Sequence, residues 1–166
     1  DTEVGYWAYG YNTFKLDITD FLPRNRSMEG GLLPGKHTLA VHLQNVEESS
    51  RWYPGAGIYR PVTLLLHQRK HLETWGTFAR TRMVAGVNAS GTKAEEARLY
   101  VTSKAVVDKH DGMQIVLSLI DNEGKKVAES SAWVNDTHET AQILSVKDAQ
   151  LWSPEQPALY TLVSEL

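Results

Sequence analysis

The sequence predicts an all-β protein. Several stretches alternate apolar and polar residues, and an alternation with a period of two is typical of strands that bury one face. Turn-forming residues interrupt the second half of the chain roughly every ten residues, which is the spacing of a β-sandwich. Of the 166 residues, 42% are hydrophobic, so one large or two small domains could each fill a core.

The first half offers few strands. Residues 39–43 alternate apolar and polar side chains and predict a half-buried strand, and the apolar run at 62–66 predicts another. Residues 17–22 predict one helical turn, with an Asp or Thr side chain as its cap and Pro23 soon after.

The second half contains the clearest strand pattern. A hairpin is predicted from residues 113–119 and 126–134, joined by a turn at 121–124 that ends in a glycine. Further strands are predicted at residues 99–107, 140–146 and 159–166. Residues 94–98 could extend a helical turn, but the Ser-Gly pair before them favours a loop.

A domain boundary is predicted at residues 68–70, where an apolar strand ends in polar residues. Residues 69–166 then predict an immunoglobulin-like β-sandwich, with Trp75, Trp133 and Trp152 as candidate core aromatics. The block has no cysteine pair and so is not of the antibody type. Pro154 and Pro157 exclude a helix or a central strand between them.

Composition excludes several classes of function. The net charge is −3 with no basic patch, which argues against a nucleic-acid partner. With no cysteine, the chain has neither disulfides nor thiolate metal sites. The apolar stretches are too short for a membrane span. The composition does not determine the cellular compartment of the protein.

One turn-rich segment, residues 50–62, runs straight into the second predicted strand. Pro54, Gly55 and Gly57 should make it a rigid loop that presents Arg51, Trp52 and Tyr53 in fixed directions. We name residues 50–57 the signature loop. A plainer interpretation is a hydrophobic turn that closes a sheet.

Five segments resemble sequence motifs of glycoside hydrolase family 2, the β-galactosidase and β-glucuronidase family. The signature loop and its continuation, SRWYPGAGIYRPV, are similar to a motif of that family. So are four other segments in the same order: residues 4–19, 35–41, 74–77 (TWGT) and 151–160 (LWSPEQPALY).

The resemblance implies a fold of two parts. Residues 1–68 would be the C-terminal half of a sugar-binding-like (galactose-binding-like) jelly roll, and 69–166 an immunoglobulin-like β-sandwich that lacks its last strand. The chain would then be a segment of a longer polypeptide. Its partners would be a catalytic barrel and a carbohydrate substrate, and its unpaired strand edges would favour a homo-oligomer.

The resemblance also implies residue roles. Arg51, Trp52 and Tyr53 would lie near the substrate of the parent enzyme. A structural role is implied for the remaining motif residues: Pro54, Gly55, Gly57, Arg60, Trp75, Trp152 and Pro154. Arg60 is expected to anchor the loop to a carboxylate or to carbonyls.

No catalytic residue is expected in this segment. Family members cleave β-glycosides with retention, using two carboxyl groups about 5–5.5 Å apart, and both belong to the barrel. The acid/base there lies in an Asn-Glu-Pro context, whereas Glu123 is followed by glycine in a predicted turn.

No cofactor or metal is expected in this segment either, and the resemblance implies that Mg or Na ions would be bound in the barrel. Some members carry a carboxylate on the signature loop that helps to bind sodium, where this chain has Ser49 and Ser50. His67 and His71 are four residues apart, a spacing that brings side chains together in a helix, and no helix is predicted there. His110 is expected in a surface turn.

The leading hypothesis is a non-catalytic segment of a β-glycosidase, with β-galactosidase as the parent activity. The alternatives are a free-standing carbohydrate-binding module and a structural or adhesive β-sandwich protein. The compartment stays open between cytoplasm and periplasm or secretion.

Overall fold

The computed structural model describes residues 2–23, 35–48, 52–53, 55–108 and 112–166. The chain divides into two units, Asp1–Val62 and Thr63–Leu166. Among the described residues, the first unit contains one 3₁₀ turn at Thr19–Phe21, and all strands lie in the second unit. No helix within these ranges has the length and apolar character that crossing a bilayer demands.

The second unit consists of two three-stranded antiparallel sheets. One sheet has the order β1-β2-β5 and the other β4-β3-β6. The strands are β1 His71–Val87, β2 Lys93–Val106, β3 Gln114–Ile120, β4 Lys126–Trp133, β5 Glu139–Gln150 and β6 Thr161–Glu165. The all-β class predicted from the sequence is confirmed for this unit.

The predicted hairpin is present as β3 and β4. Asp121 closes its turn, because its Oδ1 accepts from the backbone N–H groups of Glu123 (3.0 Å) and Lys125 (2.9 Å). Gly124 has φ +82°, which a residue without Cβ adopts at little cost. The local sequence therefore specifies both the turn and the register of this strand pair.

An aliphatic core joins the two sheets. Every second residue of the central strands points inward, and the buried cluster takes members from β2, β3 and β5, among them Val101, Ile115, Leu117 and Leu144. A buried polar side chain also bridges the sheets: Gln142 of β5 donates from Nε2 to the carbonyl of Ile115 at 3.2 Å. The core thus lies between two sheets that are held by packing and by one buried hydrogen bond.

Three tryptophans predicted to be in the core are not there. Trp75, Trp133 and Trp152 are 65%, 63% and 59% exposed, respectively. The space between two three-stranded sheets is already filled by Leu, Ile, Val and Ala side chains, which leaves the larger indole rings outside.

The loop predicted for residues 94–98 is also wrong, because they form the first part of β2. Ala94 pairs with Val87 of β1 and with Ala149 of β5. Pairing on both sides overrides the weak local preference of this segment.

The strands predicted at 39–43 and 62–66 do not appear. The structure gives these residues no strand, and Leu39, Val41 and Leu43 are exposed. A strand needs hydrogen-bonded neighbours and a hydrophobic face to bury, and neither segment is paired with a strand among the described residues.

The predicted helical turn is confirmed as the 3₁₀ turn Thr19–Phe21, but the predicted side-chain cap is wrong, because the N-cap residue is Ile18 and it carries no side-chain cap. Asp17 Oδ1 accepts from the backbone N–H of Thr19, the first residue of the turn, at 2.9 Å.

Candidate functional site

The signature loop displays two aromatic rings at the surface of the first unit. Trp52 and Tyr53 are 78% and 90% exposed. Their ring centroids are 5.9 Å apart and the planes meet at 66°, an edge-to-face arrangement that aromatic pairs prefer. Arg51 and Pro54, two further predicted loop residues, lie outside the described residues.

The two glycines of the loop lie in open surroundings among the described residues. A Cβ added at Gly55 or at Gly57 would meet none of the described atoms within 4 Å. The φ of Gly57 is not in the left-handed region. The structural role expected of these glycines stays a prediction.

Arg60 follows the loop and lies over an aromatic ring. Its guanidinium carbon is 5.6 Å from the centroid of Tyr59, within range of a cation–π interaction. This contact orients the side chain along the surface of the first unit.

A second aromatic surface lies in residues 6–14, and the sequence reasoning did not single it out. Trp7 stacks on Phe14 with centroids 5.6 Å apart and planes 14° apart. Tyr9 and Tyr11 form an edge-to-face pair at 5.7 Å. The Trp7 indole N–H donates to the carbonyl of Tyr9 at 2.9 Å. The sequence could have indicated this surface, because residues 6–14 include five aromatic residues in nine positions.

The TWGT motif forms an irregularity in β1. The β1–β2 register shifts between Leu72 and Thr77, and Trp75 has φ +62°. A Cβ at Gly76 would lie 2.8 Å from Cβ of Glu73 and 3.1 Å from Cβ of Lys104, so only glycine fits without a shift. The motif is a β-bulge that turns the indole of Trp75 outward.

The LWSPEQPALY motif forms the connection between β5 and β6. Ser153 and Gln156 exchange backbone hydrogen bonds at 3.0 and 3.2 Å, and the Ser153 hydroxyl accepts from the Gln156 N–H at 3.0 Å. Pro154 therefore lies inside a closed turn, and Trp152 immediately precedes it. The Tyr160 hydroxyl accepts from the backbone N–H of Gln150 at 2.8 Å, which ties the start of β6 to the end of β5.

His67 and His71 come together without a helix, which corrects the argument from their spacing. Their rings stack with centroids 4.5 Å apart and planes 5° apart. The Nδ1–H of His71 donates to the carbonyl of Gln68 at 2.8 Å, and Nε2 of His67 is 3.1 Å from Oγ1 of Thr74. The described residues hold no group of three or more His, Asp or Glu side chains that could bind a metal ion. His110 is outside them.

Three surface ion pairs shift the pKa values of side chains in the second unit. The hydrogen bond from Lys126 lowers the pKa of Glu129. Glu139 raises the pKa of Lys104 through a 2.8 Å contact, and Glu96 raises that of Arg98 in the same way. The Lys104–Glu139 pair links β2 to β5 at directly opposed positions.

Comparison with known proteins assigns the chain to one family. Residues 84–166, half of the chain, match the model of glycosyl hydrolases family 2. The chain belongs to this family. The match covers β2 to β6 and the last four residues of β1, together with the LWSPEQPALY segment.

Two curated relatives and one solved structure give the range of similarity. Beta-galactosidase BoGH2A of Bacteroides ovatus is 34% identical over 98% of this chain and 18% of its own length. A protein of Formosa agariphila named "Putative beta-glucuronidase" is 30% identical over 98% of this chain and 14% of its own length. The β-glucuronidase of Bifidobacterium dentium, solved with coumarin-3-O-glucuronide, aligns with a TM-score of 0.52 at 24% identity, over 59% of this chain and 15% of that one.

The chain therefore spans less than a fifth of the length of these curated relatives. Their names include both β-galactosidase and β-glucuronidase. The likeness to the solved structure concerns the fold alone.

Proposed function

We propose that this chain is a non-catalytic segment of a retaining β-glycosidase, with β-galactosidase as the activity of the parent enzyme. In this proposal the second unit is the immunoglobulin-like domain, and the first is the C-terminal half of a sugar-binding-like jelly roll. The partners are the catalytic barrel of the same polypeptide and a terminal β-galactoside. The proposal assigns no metal ion to this chain.

Family membership is the observation that carries the proposal. The preference for β-galactosidase is supported by the 34% identity to the Bacteroides ovatus enzyme, against 30% for the Formosa agariphila protein. A segment of this kind contributes surfaces rather than reacting groups. Exposed rings such as those of Trp52 and Tyr53 would be buried when the rest of the enzyme surrounds them.

The signature loop would form one edge of the active site in the parent enzyme. Trp52 or Tyr53 would stack on a pyranose ring or close off the pocket from water, and Arg51 would donate hydrogen bonds to sugar hydroxyls or to a neighbouring carboxylate. Replacing Trp52 with Ala in the parent enzyme should raise KM for a β-galactoside, while Phe78→Ala, on an exposed ring of the second unit, should leave it unchanged.

Activity assays test the proposal at two levels. The isolated chain should not hydrolyse 4-nitrophenyl β-galactoside, and the longer polypeptide that contains it should hydrolyse this galactoside faster than the corresponding β-glucuronide. Turnover by the purified chain alone would contradict the non-catalytic role. A parent that prefers the glucuronide would overturn the β-galactosidase assignment and leave the scaffold role intact.

The same chain should self-associate when it is produced alone. Its first unit exposes many large apolar side chains, and such surfaces associate unless a partner covers them. Light scattering at high protein concentration should show dimers or larger species. A clean monomer would count against a surface that needs a covering domain.

A free-standing carbohydrate-binding module is the second candidate, and the exposed rings of Trp7, Trp52 and Tyr53 favour it. Calorimetry with galactose, lactose and glucuronic acid separates the two functions. Binding in the millimolar range or tighter that is lost in Trp52→Ala and kept in Phe78→Ala supports the module. No heat of binding with any of the three sugars supports the scaffold.

A further inference from the structure

Three lysines line one hollow of the second unit. The hollow has a volume of about 380 Å³ and is open to solvent. Its lining residues are Glu96, Lys125, Lys126, Val127, Ser145 and Lys147. We propose that this lysine hollow is a binding site for a tetrahedral oxyanion, either an inorganic ion or a sulfate ester on a saccharide.

The hollow lies where edge strands of the two sheets meet. β5 is at the edge of the β1-β2-β5 sheet and β4 is at the edge of the β4-β3-β6 sheet. Lys147 on β5 is opposite Glu96 on β2 in the strand register. Lys126 begins β4. The backbones of Lys126 and Lys147 are therefore held by the two sheets of one packed sandwich, and an ion would have to order only their exposed side chains.

The hairpin turn holds the third lysine in place. The backbone N–H of Lys125 donates to Asp121 Oδ1 at 2.9 Å, and its carbonyl accepts from the Asp121 N–H at 2.9 Å. Two hydrogen bonds thus fix the point from which this side chain extends.

The positive charge of the hollow is only partly balanced. Glu96 is its one acidic lining residue, and this carboxylate already accepts from Arg98 Nε at 2.8 Å. Lys126 donates to Glu129. Within the described ranges, Lys125 and Lys147 form no ion pair, so the lining carries three lysines against the one carboxylate of Glu96 in a chain whose net charge is −3.

These groups match the chemistry of a tetrahedral oxyanion. Each lysine ammonium is a compact positive charge with three N–H donors, and the Ser145 hydroxyl adds an O–H donor. Hydrogen bonds between charged partners are roughly twice as strong as neutral ones. An oxyanion here would remove the repulsion between the lysines and accept from several donors at once.

The competing explanation for these lysines is that they protect exposed sheet edges. Lysines on exposed edge strands discourage pairing with another sheet, and that role involves no ligand. The two explanations predict different behaviour: edge protection predicts that loss of a lysine increases self-association, whereas the proposed site predicts saturable binding that depends on these lysines.

Calorimetry of the full chain tests the proposal with sodium sulfate and inorganic phosphate as probes, while sodium chloride keeps the ionic strength constant. We expect saturable binding with a Kd on the order of millimolar, weakened about tenfold in Lys147→Gln and in Lys125→Gln. The matched control is Lys104→Gln, which removes the same charge from β2, where this lysine pairs with Glu139 instead. It should keep the affinity of the unmodified chain.

Galactose 6-sulfate and galactose distinguish the two sources of the oxyanion. Tighter binding of the sulfated sugar than of free sulfate identifies a saccharide ester, and equal or weaker binding identifies the free ion. The absence of saturable heat with every anion overturns the proposal. A loss of affinity in Lys104→Gln equal to that in Lys147→Gln and Lys125→Gln also overturns the proposal, because it would show that binding depends only on the net charge of the chain. The affinities for the inorganic anions and for the sulfated sugar are both measured without any glycosidase assay.

Discussion

The two sheets of the second unit depend on a small aliphatic core, and Leu144 is a sensitive place to test it. Its side chain is 1% exposed and belongs to the buried cluster between the sheets. Leu144→Ala removes three buried carbon atoms, which costs about 2.4 kcal/mol in transfer free energy at roughly 0.8 kcal/mol each. The cavity left behind raises the expected loss to about 3–4 kcal/mol.

Ile143 provides the matched control, because it is the preceding residue of the same strand and points to the opposite face. It is 49% exposed, so Ile143→Ala should cost about 1 kcal/mol or less. Urea unfolding followed by far-UV circular dichroism measures both variants. The Leu144 variant should also unfold roughly 12 °C or more below the unmodified chain, given about 4–8 °C per kcal/mol for a domain of this size.

Equal losses in the two variants would refute the assignment of Leu144 to the core and Ile143 to the surface. A loss below about 1 kcal/mol in Leu144→Ala would show that the two sheets do not pack tightly on each other.

The remaining predictions concern a bulge and an ion pair. Gly76→Ala should destabilise the second unit by about 1–3 kcal/mol in urea unfolding, because its Cβ would lie 2.9 Å from the carbonyl oxygen of Glu73. The control is Gly57→Ala, where no described atom lies within 4 Å of the added Cβ, and it should change the free energy of unfolding by less than about 0.5 kcal/mol. Equal losses in the two variants would exclude crowding at Gly76 as the cause of the destabilisation. Because the Lys126 hydrogen bond lowers the pKa of Glu129, the pair stabilises the fold above the unfolded-state pKa and is lost as the pH falls through the folded-state pKa. Glu129→Gln should therefore have a lower urea midpoint than the unmodified chain at a pH of about 6, and the difference between the two midpoints should shrink as the pH falls below the ordinary pKa of a glutamate. A difference that stays constant into acid would contradict this.

The parts of the fold that the sequence predicted are those encoded locally. The β3–β4 hairpin combines alternating residues with a turn in which Asp121 and Gly124 each have a defined role. The turn at Thr19–Phe21 likewise depends on Asp17 close by in the chain. In both cases, hydrogen bonds within a few residues specify the conformation.

The predictions that were wrong concern features that depend on residues distant in the sequence. Ala94 is in a strand because two other strands flank it, and no local pattern shows this. The tryptophans are outside because aliphatic residues from three strands fill the core first. His67 and His71 stack because the chain bends between them, whereas residue spacing predicts contacts only within regular structure.

The candidate site was predictable in part. The signature loop was singled out from its composition, and the structure shows that its Trp52 and Tyr53 are exposed. Their position near a substrate stays a prediction. The aromatic surface around Trp7 and the lysine hollow were missed. The hollow in particular combines residues from β2, β4 and β5, and their proximity arises only when the two sheets pack.

The placement of the indole rings has an optical consequence. All five tryptophans of the chain, Trp7, Trp52, Trp75, Trp133 and Trp152, are at least 46% exposed. The native protein alone should therefore fluoresce at the long wavelengths of hydrated indole, acrylamide should quench it readily, and its emission maximum should move little on denaturation. A pronounced blue shift when other regions of the parent enzyme are present would report directly which of these rings become covered.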